Sequence, residues 1–185
     1  MAVARREGGA ALSEHYVVVM GPSGCGKTTV GRLLAQRLSL PFIEGDDLHP
    51  VENVQKMSAG VPLEDEDRAS WLEAVGRALA ASPGGAVASC SALRRRYRDR
   101  LRALLPGLRF VHLEASREVL RARLSERRGH YMPAALLDSQ LAALERPDAD
   151  EAAVVLTVDR PAQQIAEQAC AALVVEWCAP VAVPN

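Results

Sequence analysis

The sequence predicts an α/β fold, a three-layer α/β/α sandwich with a five-stranded parallel sheet as its middle layer. Short apolar runs alternate with helical patterns along the 185-residue chain, and parallel strands joined by right-handed crossovers produce this alternation. Strands that helices cover on both faces are expected to be apolar throughout, as these runs are. The predicted strands are 16–20, 41–44, 86–90, 109–113 and 153–158. The predicted helices are about 28–39, 50–58, 66–81, 92–105, 116–128, 133–145 and 161–174.

Helical spacing is clearest in two of these segments. After the first strand, apolar residues recur one turn apart at Val30, Leu33, Leu34 and Leu38. The helix predicted at 66–81 has acidic residues before it and an apolar stripe at Trp71, Leu72, Val75 and Leu79. Both patterns predict helices that bury one face against the sheet.

Composition excludes several classes of protein. The formal net charge of −1 gives no global positive field, so we expect no nucleic-acid partner. No apolar run approaches the 18–20 residues of a membrane span. The four cysteines form no C-x-x-C pair, which argues against a disulfide framework or a zinc site and favours a reducing cytoplasm.

The length and hydrophobic content predict one domain with a substantial core. We expect this domain to span residues 15–175. Residues 1–14 lack the apolar segment of a signal peptide and are expected to be a flexible arm. Residues 176–185 contain Pro180 and Pro184 and are expected to form a C-terminal tail.

Residues 21–28 read Gly-Pro-Ser-Gly-Cys-Gly-Lys-Thr, a complete G-x-x-x-x-G-K-[ST] phosphate-binding loop between a predicted strand and a predicted helix. In such a loop the backbone N–H groups turn inward around a polyphosphate. Lys27 can reach the β- and γ-phosphates, and the Thr28 hydroxyl can bind Mg²⁺. The fold is therefore predicted to be of the P-loop NTPase type, with ATP and Mg²⁺ as ligands. The predicted nucleotide-binding residues are Gly21, Pro22, Ser23, Gly24, Cys25, Gly26, Lys27, Thr28 and Thr29.

Two cysteines lie near this loop and carry different expectations. Cys25 lies among inward-facing amides that would favour a thiolate, which predicts a reactive thiol. Cys90 ends an apolar strand and is expected to pack in the core.

Acidic residues follow the second predicted strand, one strand away from the phosphate loop. The Asp46 carboxylate can accept a substrate hydroxyl's proton or orient Mg²⁺ through water. A helix N-cap is the alternative for Asp46 and the favoured interpretation for Asp47, because Pro50 favours the start of a helix here. His49 and Arg68 decide nothing when they are considered singly.

Several blocks together give a specific resemblance. Gly45 opens G-D-D-L-H-P-x-x-N-x-x-K-M, and Gly60 opens G-x-P-L-x-D-x-D-R-x-x-W-L. The segments C-S-A-L at 90–93, Y-R-D at 97–99 and R-R-G-H-Y-M-P at 127–133 follow, with S-Q at 139–140. Over roughly residues 16–170 this pattern resembles the gluconokinases of the small phosphate-loop type, which are related in fold to shikimate and nucleoside-monophosphate kinases. The resemblance implies transfer of the ATP γ-phosphate to the 6-hydroxyl of D-gluconate, with Mg²⁺ as cofactor and a homodimer as assembly.

The resemblance also implies roles for the basic residues. Arg68 and Arg98 are expected to contact the gluconate carboxylate or hydroxyls, together with Asp46 and His49, since a guanidinium can bind a carboxylate in bidentate fashion. A helical lid is expected at about 121–146. Its Arg123, Arg127 and His130 share one helical face and would close over the phosphates and the acceptor. The residues expected to be catalytic are Lys27, Asp46 and Arg127.

Two other functions remain open from the sequence. One alternative is a kinase of another acceptor, such as shikimate, a nucleoside monophosphate or a different sugar acid. A nucleotide acceptor is disfavoured by the two Phe, three Tyr and two Trp residues, which leave few aromatic rings for stacking a second base. The other alternative is a non-catalytic nucleotide sensor, which would show no acceptor-dependent turnover.

Overall fold

The computed structural model describes residues 14–126 and 134–178, and its central element is one parallel five-stranded sheet. The strand order is β2-β3-β1-β4-β5, and all four strand pairs are parallel. The strands are β1 His15–Met20, β2 Phe42–Ile43, β3 Gly85–Ser89, β4 Arg109–Glu114 and β5 Val154–Thr157. The predicted fold class and the five parallel strands are confirmed.

Helices connect the strands and cover the sheet. They are α1 Lys27–Leu38, α2 Val51–Ser58, α3 Asp65–Ala80, α4 Arg95–Leu104, α5 Arg117–Glu126, α6 Ala134–Ala143 and α7 Ala162–Cys178. Two predicted boundaries differ from the structure by three residues or more. Helix α4 begins at Arg95 and not at 92, because Ala92 takes a left-handed backbone conformation with φ of 41° that no α-helix contains. Helix α7 continues to Cys178, past the predicted start of the tail at 176, because no proline or glycine interrupts it before Pro180.

Alternate residues of the central strand enter two separate cores. Tyr16, Val18 and Met20 pack on the side of α3 and α4, whereas Val17 and Val19 pack on the side of α1 and α7. Successive side chains of a strand point to opposite faces of the sheet, so β1 is apolar at every position because helices cover both faces.

The parallel arrangement places the motif-bearing loops at one edge. Strands β3 and β4 flank β1, and the phosphate loop follows β1 directly. The loop after β2 holds Asp46, and β2 pairs with β3. In sheets of this kind ligands bind outside the carboxyl ends of the strands, so the fold gathers the candidate residues where a site is expected.

His112 is a buried histidine outside this edge cluster. It lies on β4 with its side chain 1% exposed, and neither ring nitrogen has a hydrogen-bond partner in the part of the chain that the structure describes. Burial lowers the pKa of His112 to about 4; Glu114 opposes this shift, and Arg98 and Arg146 add to it. The folded protein therefore holds this imidazole neutral.

This burial makes stability depend on pH. The unfolded chain protonates His112 near pH 6.5, whereas the folded chain does so only near pH 4. Between these values the unfolded state binds more protons, so the free energy of unfolding should fall by about 3 kcal/mol as the pH drops from 6.5 to 4. Urea unfolding of the parent and of His112→Leu at several pH values checks this. The difference between the two free energies should change across that window, and parallel curves would contradict the assignment.

Candidate active site

The phosphate loop has the backbone shape that its sequence predicts. Gly21, Gly24 and Gly26 have φ of 139°, 85° and 100°, a region that residues with a Cβ rarely adopt. A Cβ on Gly21 would also lie 2.8 Å from the Leu113 carbonyl oxygen on β4. Helix α1 begins at Lys27, so its positive end faces the loop, as phosphate binding requires.

One cleft of about 310 Å³ opens beside this loop. Lys27 Nζ donates to the Pro22 carbonyl at 3.2 Å, so its ammonium lies across the loop. Arg123 donates to the carbonyls of Cys25 and Val158 at 3.4 and 3.2 Å, which brings helix α5 to the cleft. The residues that line the cleft are Ser23, Gly24, Cys25, Gly26, Lys27, Thr28, Thr29, Val30, Asp46, Arg123, Arg160, Ala162 and Ile165.

The Asp46 carboxylate belongs to the same cleft, and its backbone is fixed through Gly45. A 3-10 turn spans Gly45–Leu48. Gly45 N donates to Ser89 Oγ at 3.0 Å, and Gly45 O accepts from Trp71 Nε1 at 2.7 Å. A Cβ on Gly45 would lie 1.9 Å from the Ser89 carbonyl oxygen. Only glycine fits between β3 and α3 here, and the close contact of Gly45 with both elements fixes the backbone position of Asp46.

The N-cap alternative for the acidic pair is wrong. Helix α2 begins at Val51, and its N-cap position is Pro50, with no side-chain capping bond. Asp46 and Asp47 lie inside the 3-10 turn instead. Asp47 is exposed and does not line the cleft.

His49 lies beside Trp71 and within electrostatic range of Asp46 and Arg68. The His49 ring stacks on Trp71 with 4.1 Å between the ring centroids. Burial lowers the pKa of His49, Asp46 opposes this shift, and Arg68 adds to it. Neither His49 nor Arg68 lines the cleft. The Arg68 guanidinium donates to the Leu63 carbonyl, and His49 is held neutral near pH 7.

Residues of the second sequence block tie α2 to the start of α3. Lys56 Nζ and Asp67 Oδ1 lie 2.6 Å apart, and Asn53 Nδ2 donates to the Asp67 carbonyl at 2.8 Å. The Asp67 carboxylate also accepts from the Glu64 backbone N–H and completes a capping box with Glu64. These bonds hold the helix turn from which Arg68 extends.

Arg98 requires a correction, because the structure buries it away from the cleft. Its side chain is fully buried, and its Nε and Nη2 each donate to the Glu151 carboxylate at 2.6 Å. Its Nη1 donates to the carbonyls of Ala92 and Glu145 at 3.2 and 3.1 Å. The guanidinium has its partners inside the protein, so Arg98 is a structural residue and not a substrate contact.

The expectation of a reactive Cys25 is also wrong. Cys25 is 1% exposed, and burial raises the pKa of its thiol more than Lys27 and Arg123 lower it. The thiol lies against Gly21, where an added Cβ would be 2.8 Å from Cys25 Sγ. Cys90 is buried in the core as expected, and burial raises the pKa of its thiol to about 12.

The structure describes only part of the lid expected at about 121–146. Arg127 and His130 lie in the segment 127–133, which the structure does not describe. Of the three basic residues predicted on one face, Arg123 alone can be placed, and it lines the cleft.

The sequence analysis assigned no part in the site to Gln140, Trp71 or Ser89. Gln140 contacts Ser23 of the phosphate loop, whereas Trp71 and Ser89 hold Gly45. Gln140 and Trp71 lie inside the matched motifs, which were the only signal that they belong to the site. Arg160, in the loop after β5, and Ala162, at the start of α7, also line the cleft.

The donor groups present fit Mg²⁺ that is bound together with substrate phosphates. Thr28 and Asp46 line the same cleft and offer a hydroxyl and a carboxylate, the oxygen ligands that Mg²⁺ prefers. Within 14–126 and 134–178, no group of three or more His, Cys, Asp or Glu side chains forms a ready-made metal site. No helix in the same ranges is long and apolar enough to cross a membrane.

Comparison with known proteins gives consistent matches. The shikimate kinase family model matches residues 23–174. Gluconokinase of Gluconobacter oxydans is 47% identical over 160 residues, which cover 85% of this chain and 90% of that protein. A probable gluconokinase of Schizosaccharomyces pombe is 45% identical over 166 residues, with coverage of 85% and 86%. A solved gluconokinase from Sinorhizobium meliloti 1021 aligns with a TM-score of 0.81 and 48% identity, over 88% of this chain and 93% of that one.

These matches extend over most of each chain, and they agree with the motifs and with the sheet order. The chain belongs to the gluconokinase family.

Proposed function

We infer that this protein transfers the γ-phosphoryl group of ATP to the 6-hydroxyl of D-gluconate, giving 6-phospho-D-gluconate and ADP. One observation carries the inference: a complete phosphate loop and the Asp46 carboxylate line a single cleft, in a chain that is 44–47% identical to gluconokinases. Phosphoryl transfer needs a polyphosphate and a hydroxyl held side by side, and this cleft offers groups suited to each.

The phosphate loop and Lys27 act on the phosphates of ATP. Inward-facing amides and the positive end of α1 bind the phosphates, and the Lys27 ammonium stabilises the negative charge that develops on the transferred group. Arg123 contacts the loop carbonyl of Cys25, which supports the proposal that it adds a second positive charge. Arg127 is proposed, from its motif alone, to do the same from the lid. Thr28 and Asp46 would hold Mg²⁺, which would supply positive charge to neutralise the phosphates.

The acceptor half falls to Asp46, His49 and Arg68. The Asp46 carboxylate takes the proton of the 6-hydroxyl or orients Mg²⁺ through water. His49, held neutral by burial, suits hydrogen bonds with sugar hydroxyls. Arg68 supplies the positive charge that a sugar acid requires. His130 is proposed as a further acceptor contact from its motif.

We also propose a homodimer, which the resemblance supports. The charge balance supports the absence of a nucleic-acid partner, and the lack of a long apolar run supports the absence of a membrane partner. The cysteine pattern favours a cytoplasmic location.

The test is ADP release from Mg·ATP with a panel of acceptors: D-gluconate, idonate, shikimate, nucleoside monophosphates and no acceptor. We expect turnover with D-gluconate to exceed that with every other acceptor by at least about a hundredfold, since a site built for specific polar contacts rejects analogues strongly. Lys27→Met serves as the inactive control. ATP binding without any acceptor-dependent turnover would contradict the proposal and favour the sensor. Faster turnover with shikimate or a nucleotide would show that the acceptor is not D-gluconate, although the protein would still be a kinase.

A further inference from the structure

The side-chain amide of Gln140 makes two hydrogen bonds with Ser23 of the phosphate loop. Ser23 N donates to Gln140 Oε1 at 2.7 Å, and Gln140 Nε2 donates to Ser23 Oγ at 3.2 Å. A backbone N–H can only donate, so the carbonyl end of the carboxamide must face it. The residues lie 117 positions apart in the chain, and the contact therefore joins helix α6 to the loop.

Packing on both sides of Gln140 fixes its position. Leu136 and Leu137, one turn earlier on α6, are buried, and residues three and four apart share a helix face. Beyond α6, Glu145 N donates to the Leu93 carbonyl at 2.8 Å, and Arg98 holds the Glu145 carbonyl. Helix α6 therefore packs on the core through residues that precede Gln140. After Gln140, the chain is hydrogen-bonded to the segment that follows β3.

The Ser23 N–H belongs to the same rigid peptide unit as the Pro22 carbonyl. That carbonyl accepts from Lys27 Nζ at 3.2 Å and from Cys25 N at 3.3 Å. Fixing one side of the planar unit fixes the other. Gln140 therefore orients the carbonyl against which the Lys27 ammonium rests, and it restrains the first turn of the loop.

We propose that Gln140 is a positioning residue for nucleotide binding, which sets the Pro22–Ser23 peptide and Lys27 before ATP arrives. A loop that is already in its binding geometry loses less conformational freedom on binding, and this saving appears as affinity. The proposal rests on the proposed function only in that the loop binds ATP; it is independent of which acceptor is used.

The first variant is Gln140→Met, which keeps the length and helix propensity of the side chain and removes both hydrogen bonds. Calorimetric titration with Mg·ATP and Mg·ADP, without acceptor, should give dissociation constants raised about tenfold, in line with two lost hydrogen bonds. The KM for ATP should rise similarly, and the KM for D-gluconate should stay within twofold. Gln36→Met, at an exposed position of α1, is the matched control and should change none of these constants.

A purely structural role for Gln140 would lower the melting temperature and leave the nucleotide dissociation constants, measured below the transition, unchanged. Unchanged constants in Gln140→Met would overturn the proposal. Gln140→Glu is the second variant, should the first fail to fold. It keeps an acceptor for Ser23 N–H and places a negative charge beside the phosphates, so it should weaken ATP binding more than ADP binding; equal affinity to the parent for both would also overturn the proposal. Because the titrations contain no acceptor, they measure nucleotide binding alone. Their result can therefore be interpreted even if the protein does not phosphorylate D-gluconate.

Discussion

Replacing Asp46 with Asn should lower kcat with D-gluconate by a factor of about 10² or more, the scale of general acid–base effects. The amide has the shape of the carboxylate but accepts no proton and carries no charge to orient Mg²⁺. Asp46 lines the cleft together with Lys27 and Thr28, while its backbone is set by Gly45 between Ser89 and Trp71. The substitution should therefore change the chemistry and leave the geometry intact. Steady-state kinetics with ATP and D-gluconate measure the loss, and calorimetry should show ATP affinity within about threefold of the parent.

The neighbouring carboxylate provides a matched control. Asp47 lies on the same 3-10 turn and is exposed outside the cleft, so Asp47→Asn should retain nearly full turnover. Titration with Mg²⁺ separates the two roles left open for Asp46: a raised Mg²⁺ requirement in Asp46→Asn indicates metal orientation, and an unchanged one indicates the base. Near-normal turnover of Asp46→Asn would remove this residue from the chemistry.

Replacing Arg98 with Met should destabilise the fold by about 3–5 kcal/mol, the cost of breaking a buried ion pair by removing one partner. Glu151 would keep Arg102, whose Nη1 donates to it at 3.0 Å, but would lose both bonds of the guanidinium fork. The carbonyls of Ala92 and Glu145 would lose a donor as well. Urea unfolding measures the loss, and the KM for D-gluconate, measured where the variant is folded, should stay within twofold of the parent.

A second arginine on the same helix gives the comparison. Arg100 pairs with Glu73 at the surface, and exposed pairs contribute at most about 1 kcal/mol, so Arg100→Met should unfold nearly as the parent does. The double variant Arg98→Met with Glu151→Leu should recover part of the loss, because it leaves no carboxylate buried without its partner. A raised KM for D-gluconate with unchanged stability in Arg98→Met would restore the substrate role that the sequence suggested.

Local signals were enough to predict the fold and the phosphate half of the site. Strand β1 is apolar at every position because both faces are covered, and the motif at 21–28 constrains its own backbone through the glycines. Such features depend on neighbouring residues, and the sequence displays them directly. Asp46 could be placed because a residue that follows a strand end has few other places to lie.

The errors arose where distant residues decide the environment. Arg98 lies in a matched motif, which suggested a substrate contact. Its partner Glu151 lies 53 positions away, and no local pattern links the two residues. Cys25 was judged by the amides near it, whereas its pKa is set mainly by burial. The partnership of Gln140 with Ser23 spans 117 positions. Pairings of this kind emerge only when the helices pack.

The stacking of His49 on Trp71 makes the fluorescence of this tryptophan a probe of its surroundings. The chain has two tryptophans, and they lie at opposite ends of the sheet: Trp177 stacks on His15 at the start of β1, and Trp71 contacts His49 and the Gly45 carbonyl beside Asp46. With Trp177 changed to Phe, the remaining indole emission originates beside His49 and Gly45. The protein thus carries its own fluorophore next to the turn that holds Asp46, and it needs no attached label.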